Sequence, residues 1–408
     1  MSINKKHIRN YFLILLVLIG STLIISYFDW DIKLQQHFFD ENHPDGWYQK
    51  NHLLWRWAYV YGPYPALLTG LVSIFVVAFS WFIPRLKNYR IYAVYFLLTL
   101  IIGPGLIING ILKDHWGRPR PRQLQEFGGA WEFREICEKG VPGKGKSFPC
   151  GHCSMGFVFI GLYFLLKRKN KALAVSGLSF SLAFGGYIGL ARIAQGGHFL
   201  SDVIWSAGVT WLVAAILYYE ILKIPSISSK TANHQKPGSI QKHSPWKTAL
   251  VIALTIISLI TLIFLFLFSK PAYKEYQQSV TVTQPFNNLL LSINCRNAIV
   301  FIRPANRPEN VVQVQSVMRG FGYPKFKFDN QLTKLVRNDS LFVDYRIETS
   351  GLFYELELSV NIEVDSTTIR KISGNVSPGD LFVARSLRPE NVIYDLDVAE
   401  QQIKLIEP

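Results

Sequence analysis

Acidic residues are scarce in this chain of 408 residues: 28 Asp and Glu stand against 43 Lys and Arg, and the formal net charge is +15. Attraction to anionic lipid headgroups is sufficient to account for such an excess, so a nucleic-acid partner is not expected. No small-residue cleavage pattern follows the first apolar stretch, which ends near residue 28. The sequence therefore disfavours a cleaved signal peptide, and we predict that this stretch remains as a membrane anchor.

Long apolar stretches are abundant, and most approach the roughly 20 residues that a helix needs to span a bilayer. They lie at about residues 11–28, 64–83, 91–112, 154–166, 172–190, 203–222 and 247–268. The stretch that begins at 154 becomes long enough if its helix starts near Pro149. We predict an all-α membrane bundle with a six-helix catalytic core and a seventh span.

The composition changes after the sixth stretch. Ser, Lys, Asn and Gln become frequent, as is typical of a linker, and the last third alternates apolar and polar residues, most clearly in Glu355–Val364. This alternation predicts a C-terminal β-rich extramembrane domain, whose role and partner stay open. The predicted parts are a core at 1–223, a cytoplasmic linker at 224–246, a seventh span at 247–269 and the β-rich domain at 270–408.

Basic residues in the short connections predict the orientation. Lys and Arg cluster before the first span and again near residues 85–90 and 167–171. The positive-inside rule assigns these segments to the cytoplasm. The opposite loops, which carry the candidate site residues, and the β-rich domain would then lie in the periplasm of a bacterial inner membrane.

The loops opposite the cytoplasmic ones carry a set of cations. A phosphoryl group holds its charge on oxygens that need several fixed positive donors, and Lys113, Arg120 and Arg192 can supply them. Arg118 and Arg122 lie beside them and have two open interpretations, contact with a second phosphate or with lipid headgroups.

Two imidazoles and one carboxylate accompany these cations. A neutral imidazole can act as a nucleophile and a protonated one as a general acid, roles that His198 and His152 can fill. Because positions i and i+4 are neighbours on a helix, Asp202 can accept a hydrogen bond from His198 and leave its other nitrogen free to attack phosphorus. The same three residues could form an iron site, but the nearby cations would repel a metal, so no metal or cofactor is expected.

These clusters resemble the three motifs of the type 2 phosphatidate phosphatase superfamily, which also contains the vanadium haloperoxidases. The chain reads Lys-x6-Arg-Pro from Lys113, Pro-x-Gly-His from Pro149 and Arg-x5-His-x3-Asp from Arg192, and the resemblance covers roughly residues 10–222. It implies a metal-independent phosphatase that works through a phosphohistidine. The roles that it implies are nucleophile for His198, general acid for His152, orienter for Asp202 and phosphate binding for Lys113, Arg120 and Arg192.

Two positions depart from the family pattern: Cys150 stands where the second motif usually has Ser, and Ala191 where Ser precedes the third-motif Arg. A thiol is a weaker donor to phosphate than a hydroxyl. The backbone N–H groups near Cys150 and Gly151 can still donate, because a helix is predicted to begin there. We expect a partial loss of activity, and a catalytically weak sensor of lipid phosphates is an alternative.

The sequence around the first motif, with Glu126-Phe-Gly-Gly129 after it, resembles the lipid A phosphatase branch of this superfamily. The expected substrate is therefore a lipid phosphate or pyrophosphate such as lipid A. Phosphatidylglycerophosphate, phosphatidate and undecaprenyl pyrophosphate remain alternatives, as does transfer of the phosphate to a second lipid.

Cysteine is rare, with four residues in the chain. In an oxidising compartment thiols tend to pair, and a structural disulfide between Cys137 and Cys153 is expected. Cys150-Gly-His-Cys153 also matches the dithiol of protein disulfide isomerases, so a membrane thiol-disulfide oxidoreductase is a second alternative. No βαβ unit of thioredoxin type surrounds this dithiol, and the alternative leaves Lys113, Arg120, Arg192, His198 and Asp202 unexplained.

Overall fold

A computed structural model of the chain forms two compact units, Met1–Phe266 and Leu267–Pro408. The residues that the structure describes are 5–41, 46–50, 52–129, 131–140, 145–226, 270–281, 286–295, 298–305, 312–322, 327–351, 353–376, 380–387, 392–397 and 403–406. The predicted linker at 224–246 lies almost wholly outside these residues. The predicted seventh span at 247–268 lies entirely outside them.

The first unit is built from α-helices, some of which continue into short π- or 3-10 segments. The helices are α1 (Lys5–Tyr27), α2 (Trp30–Gln36), α3 (Leu53–Tyr61), α4 (Tyr64–Phe79), α5 (Pro84–Lys87), α6 (Arg90–Leu100), α7 (Lys113–Trp116), α8 (Gly151–Phe157), α9 (Gly161–Leu166), α10 (Lys171–Ala194) and α11 (Leu200–Ile216).

Among the described residues, five helical runs are long and apolar enough to cross a membrane: His7–Tyr27, Leu53–Phe79, Arg90–Gln123, Lys171–Ala194 and Leu200–Ile221. A shorter apolar run, Gly151–Leu166, corresponds to the predicted fourth span. Large apolar side chains such as Leu23, Leu68 and Leu173 point outward from these helices and are more than half exposed, which suits a hydrocarbon surrounding. The predicted helical bundle with a separate β-rich domain is confirmed.

The third of these runs changes its winding before it reaches the first motif. A π-helical segment, Ile101–Leu112, follows α6 and contains Pro104, whose missing N–H and bulky ring disturb the regular ladder. The Asn109 amide donates to the Pro104 carbonyl at 2.7 Å and replaces one lost bond. Within this run, α7 ends at Trp116, and the following Gly117 has a φ of 73°, the left-handed conformation that terminates helices. Lys113 is therefore placed at the end of a span.

The described residues of the second unit form eleven strands. They are β1 (Lys270–Val280), β2 (Asn288–Cys295), β3 (Ala298–Pro304), β4 (Val312–Gly322), β5 (Lys327–Arg337), β6 (Ser340–Ser350), β7 (Phe353–Val364), β8 (Ile369–Asn375), β9 (Asp380–Ala384), β10 (Ile393–Asp397) and β11 (Ile403–Ile406). They form a six-stranded sheet in the order β1-β4-β7-β3-β9-β11 and a five-stranded sheet in the order β10-β8-β2-β6-β5.

Most successive strands alternate between these two sheets, so most of this unit winds as a coil. The exceptions are β3 and β4, which share the six-stranded sheet, and β5 and β6, which share the five-stranded sheet. β2 pairs in parallel with β6 and β8, while β3 pairs in parallel with β7 and β9. Each turn thus adds one strand to each sheet, and antiparallel pairs β5–β6, β4–β7 and β1–β4 continue the sheets at one end. Residues of β2 alternate between buried and partly exposed positions, as their period of two predicts. The buried faces of both sheets form one apolar core.

Candidate active site

Backbone hydrogen bonds join the three motif segments, which are far apart in the sequence. The Ser147 amide, just before the second motif, donates to the Arg118 carbonyl of the first motif at 3.0 Å. The Cys150 amide of the second motif donates to the Asp202 carbonyl of the third at 3.3 Å. The fold therefore brings the predicted site residues to one place in the helical unit.

The three predicted phosphate-binding cations are all buried. Lys113, Arg120 and Arg192 are 9%, 5% and 4% exposed, which is unusual for such side chains unless an anion or polar group meets them. The Arg192 guanidinium donates to Gln195 Oε1 at 2.9 Å, and its Nε has no hydrogen-bond partner among the described residues. A Cβ at Gly197 would lie 2.8 Å from Arg192 Nη2, so glycine lets the backbone approach this guanidinium closely. A buried donor of this kind suits an anionic ligand.

His198 is fully buried and presents two different nitrogens. Nδ1 lies 2.6 Å from the Ser147 carbonyl oxygen. Because a carbonyl can only accept, the hydrogen of a neutral ring belongs on Nδ1 and the lone pair on Nε2. Nε2 has no hydrogen-bond partner within the described part of the chain. The ring is thus held in the tautomer that a nucleophilic imidazole requires.

Asp202 lies beside this ring but is held mainly by other groups. Its Oδ2 is 3.6 Å from His198 Nδ1, beyond ordinary hydrogen-bond length. Oδ2 accepts from Ser147 Oγ at 2.6 Å and from the Phe199 amide at 2.8 Å, while Oδ1 accepts from Arg118 Nη1 at 2.7 Å. The closest acceptor for the ring is therefore the Ser147 carbonyl, and Asp202 acts on His198 chiefly through its charge. Sequence spacing alone could not reveal this division.

Arg118 fits neither of the two interpretations left open by the sequence, contact with a second phosphate or with lipid headgroups. It is fully buried, and protein groups occupy its guanidinium. Besides Asp202, it donates to Asp31 Oδ2 at 2.9 Å, to Ser201 Oγ at 2.8 Å and, through Nε, to the Arg134 carbonyl at 2.9 Å. A second phosphate or a headgroup would have to displace these charge-assisted bonds, so Arg118 is a buried structural cation behind the site. Arg122 keeps both interpretations.

His152 and Arg192 share an aromatic neighbour. The His152 ring stacks on Tyr59 with a centroid separation of 4.9 Å and an interplanar angle of 19°. The Arg192 guanidinium lies 4.6 Å from the centroid of the same ring. Tyr59 belongs to α3, which carries none of the three motifs, so no sequence pattern indicated this residue.

Cys150 and Gly151 begin helix α8, close to the start predicted at Pro149. The Cys150 thiol accepts from the Cys153 amide at 3.4 Å and so caps the helix, and it lies within electrostatic reach of His198. A Cβ at Gly151 would lie 2.3 Å from Asn109 Oδ1, so a larger residue there would require the Asn109 side chain to move. Contact of Cys150 and Gly151 with phosphate stays a prediction.

The expected disulfide between Cys137 and Cys153 is wrong. All four cysteines are free: Cys137 is exposed, whereas Cys150, Cys153 and Cys295 are buried. The Cys153 thiol instead donates to the Cys150 carbonyl at 3.2 Å. Since Cys150 and Cys153 are both fully buried, a protein thiol cannot reach them without rearrangement. In the β-rich unit, burial raises the pKa of the Cys295 thiol to about 12.

The chain is similar in sequence to known proteins. The model of the PAP2 superfamily matches residues 88–224. The chain is 34% identical over 224 residues to a lipid A 4'-phosphatase of Francisella tularensis subsp. novicida, covering 48% of this chain and 94% of that protein. It is 35% identical over 146 residues to a lipid A 4'-phosphatase of Rhizobium leguminosarum, covering 35% of this chain and 57% of that protein.

Solved structures resemble this chain only weakly. A candidate cell adhesion protein from Clostridium sporogenes has a TM-score of 0.24 and 10% identity, covering 31% of this chain and 57% of that one. A candidate adhesin from Parabacteroides merdae has a TM-score of 0.17 and 7% identity, covering 30% of this chain and 43% of that one. Similarity at this level carries no argument about function.

Proposed function

Because this chain belongs to the PAP2 superfamily and is close to the lipid A phosphatases, we propose that it is an integral membrane enzyme that removes phosphate from a lipid of the lipid A class. The similarity to the Francisella enzyme, which extends over 94% of that protein, supports the substrate class. The outward-facing apolar side chains of five long helices support the membrane location.

One observation carries the catalytic proposal: the buried His198 ring, whose Nδ1 is fixed to the Ser147 carbonyl and whose Nε2 has no partner among the described residues. A fixed tautomer with an available lone pair is what attack on phosphorus requires. The buried cations of the same segments supply the charge that a phosphate needs, so the reaction as proposed requires no metal.

The proposed reaction has two steps. Lys113, Arg120 and Arg192 bind the phosphate oxygens, and His198 Nε2 attacks phosphorus. The bond to the leaving oxygen breaks as His152 gives it a proton, which leaves a phosphohistidine. His152 then takes a proton from water, and the oxygen of this water attacks phosphorus, releasing inorganic phosphate and the free His198 ring.

The negative charge of Asp202 supports the intermediate. A ring with a proton on Nδ1 and phosphate on Nε2 carries a positive charge, which Asp202 at 3.6 Å stabilises. The carboxylate stabilises the charged ring of the intermediate more than the neutral ring of the starting state. This difference in stabilisation lowers the free-energy barrier of the reaction.

We further propose that this chemistry takes place at the periplasmic face. Lys113 lies at the end of one helical run, Arg192 near the end of α10 and His198 just before α11. The basic segments near 85–90 and 167–171 occupy the opposite helix ends, which the positive-inside rule assigns to the cytoplasm. A site at helix ends reaches a headgroup while the acyl chains stay in the membrane.

The proposal is tested by phosphate release from a panel of lipids. Purified full-length protein in detergent is assayed with lipid A, phosphatidylglycerophosphate, phosphatidate and undecaprenyl pyrophosphate. His198→Ala should reduce release to background, and His152→Ala should reduce it by about 10² to 10⁴. His115→Ala is the matched control, because His115 also places Nδ1 near a carbonyl, that of Ile111 at 2.8 Å, but is exposed.

The outcomes separate the alternatives. Full activity of His198→Ala would contradict the nucleophile assignment, and a rate that vanishes with EDTA and returns with a divalent ion would contradict metal independence. An acid-labile, base-stable label on the wild type but not on His198→Ala would support the phosphohistidine. Saturable lipid binding with no release from any substrate would favour the sensor.

A further inference from the structure

A second carboxylate is buried behind the candidate nucleophile. Asp31 lies on α2, is 3% exposed and precedes the region matched by the family model. Its Oδ2 accepts from Arg118 Nη2 at 2.9 Å and from Ser201 Oγ at 2.5 Å, and its Oδ1 accepts from the Ser201 amide at 2.9 Å. Burying a carboxylate costs free energy unless an ion pair or hydrogen bonds compensate for the lost water. These bonds to Arg118 and Ser201 compensate Asp31 in the interior.

Arg118 is shared between two carboxylates. Nη1 donates to Asp202 Oδ1 at 2.7 Å, and Nη2 donates to Asp31 Oδ2 at 2.9 Å. The side chains of Asp31, Arg118 and Asp202 are 4%, 0% and 0% exposed, so water screens these charges little. One cation faces two anions, and this group therefore keeps one negative charge that Arg118 does not compensate.

The uncompensated charge lies where the reaction needs it. Asp202 Oδ2, the oxygen that Arg118 does not bind, lies 3.6 Å from His198 Nδ1. When His198 carries the phosphate its ring is cationic, and a fixed negative charge beside it stabilises that state without reorganisation. If Arg118 paired with Asp202 alone, the two charges would cancel and this stabilisation would weaken.

We propose that Asp31 is a positioning residue for the phosphohistidine, since by sharing Arg118 it preserves the negative charge that Asp202 presents to His198. The inference rests on the proposed function, because it concerns the same nucleophile. It assigns Asp31 an effect on the rate of the chemical step and not on lipid binding, since the hydrogen bonds of Asp31 go to Arg118 and Ser201 behind the ring.

The first test is Asp31→Asn in the full-length protein, with kcat and KM measured for the lipid that the wild type hydrolyses. We expect kcat to fall by about tenfold to a hundredfold, the scale on which a hydrogen bond between charged groups contributes, with KM changed less than about twofold. Asp29→Asn is the matched control: it makes the same change at the start of the same helix, where Asp29 is exposed and pairs loosely with Lys33 at 3.9 Å. Its kcat should equal that of the wild type.

A double variant separates charge from structure. Asp31→Asn with Arg118→Gln removes one negative and one positive charge, so Asp202 again keeps its charge for His198. We expect its kcat to exceed that of Asp31→Asn, although two buried contacts are lost. A purely structural role for Asp31 makes the opposite prediction, a double variant worse than the single one.

The outcomes decide the inference in every case. Wild-type kcat in Asp31→Asn, an increase in KM with no change in kcat, or a double variant that is unfolded or slower than Asp31→Asn would overturn it. If Asp31→Asn does not fold, the double variant alone decides, because a folded and active double variant supports charge balance. Failure of the proposed function has a different signature, the absence of phosphate release from wild type and Asp29→Asn alike, and the inference falls with it.

Discussion

Replacing Cys150 tests how the second motif works with sulfur in place of oxygen. The Cys150 thiol caps α8 by accepting from the Cys153 amide at 3.4 Å. Sulfur is a weak acceptor, whereas Ser is among the preferred N-cap residues. A Ser hydroxyl would also donate better to a bound phosphate. We therefore expect Cys150→Ser to keep or raise both thermal stability and phosphate release.

The size of the effect follows from the cap. Cys150→Ala leaves the buried Cys153 amide without its side-chain acceptor, a loss of about 1 kcal/mol of unfolding free energy for a typical cap. In a unit of the size of Met1–Phe266, about 1 kcal/mol lowers the midpoint of thermal unfolding by about 2 to 4 °C. We therefore expect the unfolding midpoint of Cys150→Ser to equal or exceed that of the wild type, and that of Cys150→Ala to lie about 2 to 4 °C below the wild type.

The assay compares purified variants in one detergent by tryptophan fluorescence during heating and by phosphate release. Cys137→Ser is the matched control, because it makes the same atomic change at an exposed position and should alter neither quantity. A Cys150→Ser variant that folds normally but releases no phosphate would refute this reasoning. It would favour the alternative in which Cys150 and Cys153 form a catalytic dithiol.

Two further predictions concern Tyr59 and the membrane topology. Tyr59→Phe should retain most activity, because the face of its ring contacts His152 and Arg192 and Phe keeps that face. Tyr59→Ala should lower kcat/KM by about tenfold, the scale of a desolvated cation–π contact. Equal activity in the two variants would contradict this prediction. An alkaline phosphatase reporter fused after Pro408 should be active and a cytoplasmic fluorescent reporter dark, with the reverse near Lys236; a bright C-terminal fusion would contradict the periplasmic assignment.

The helices and strands could be predicted from patterns within single segments of the sequence. Apolar runs predicted the helices of the first unit, because membrane length acts over neighbouring residues. The same is true of the alternation in Glu355–Val364, which lies within strand β7. In each case the signal is contained in the segment itself. The i, i+4 spacing predicted that His198 and Asp202 are neighbours on one helix; they are neighbours, but α11 begins at Leu200 and only Asp202 lies in it.

Contacts between distant segments could not be predicted in this way. Arg118 and Asp31 are separated by 87 positions, and no pattern in either segment indicates their ion pair. Tyr59 reaches His152 only because α3 packs near the second motif. The alternation of strands between two sheets was likewise hidden, because a period of two gives the face of a residue but not the partner of its strand.

The coiled arrangement of the β-rich unit has a consequence for how it unfolds. Each turn contacts chiefly the turns before and after it, so its stability is the sum of turn energies and of the interfaces between neighbouring turns. Such a stack loosens progressively from an end, and amides in β10 and β11, at one edge of the two sheets, should exchange with solvent sooner than those in β2 and β3. Gaining or losing one turn would change the length of the stack by one strand spacing, about 4.8 Å, and leave the remaining turns intact.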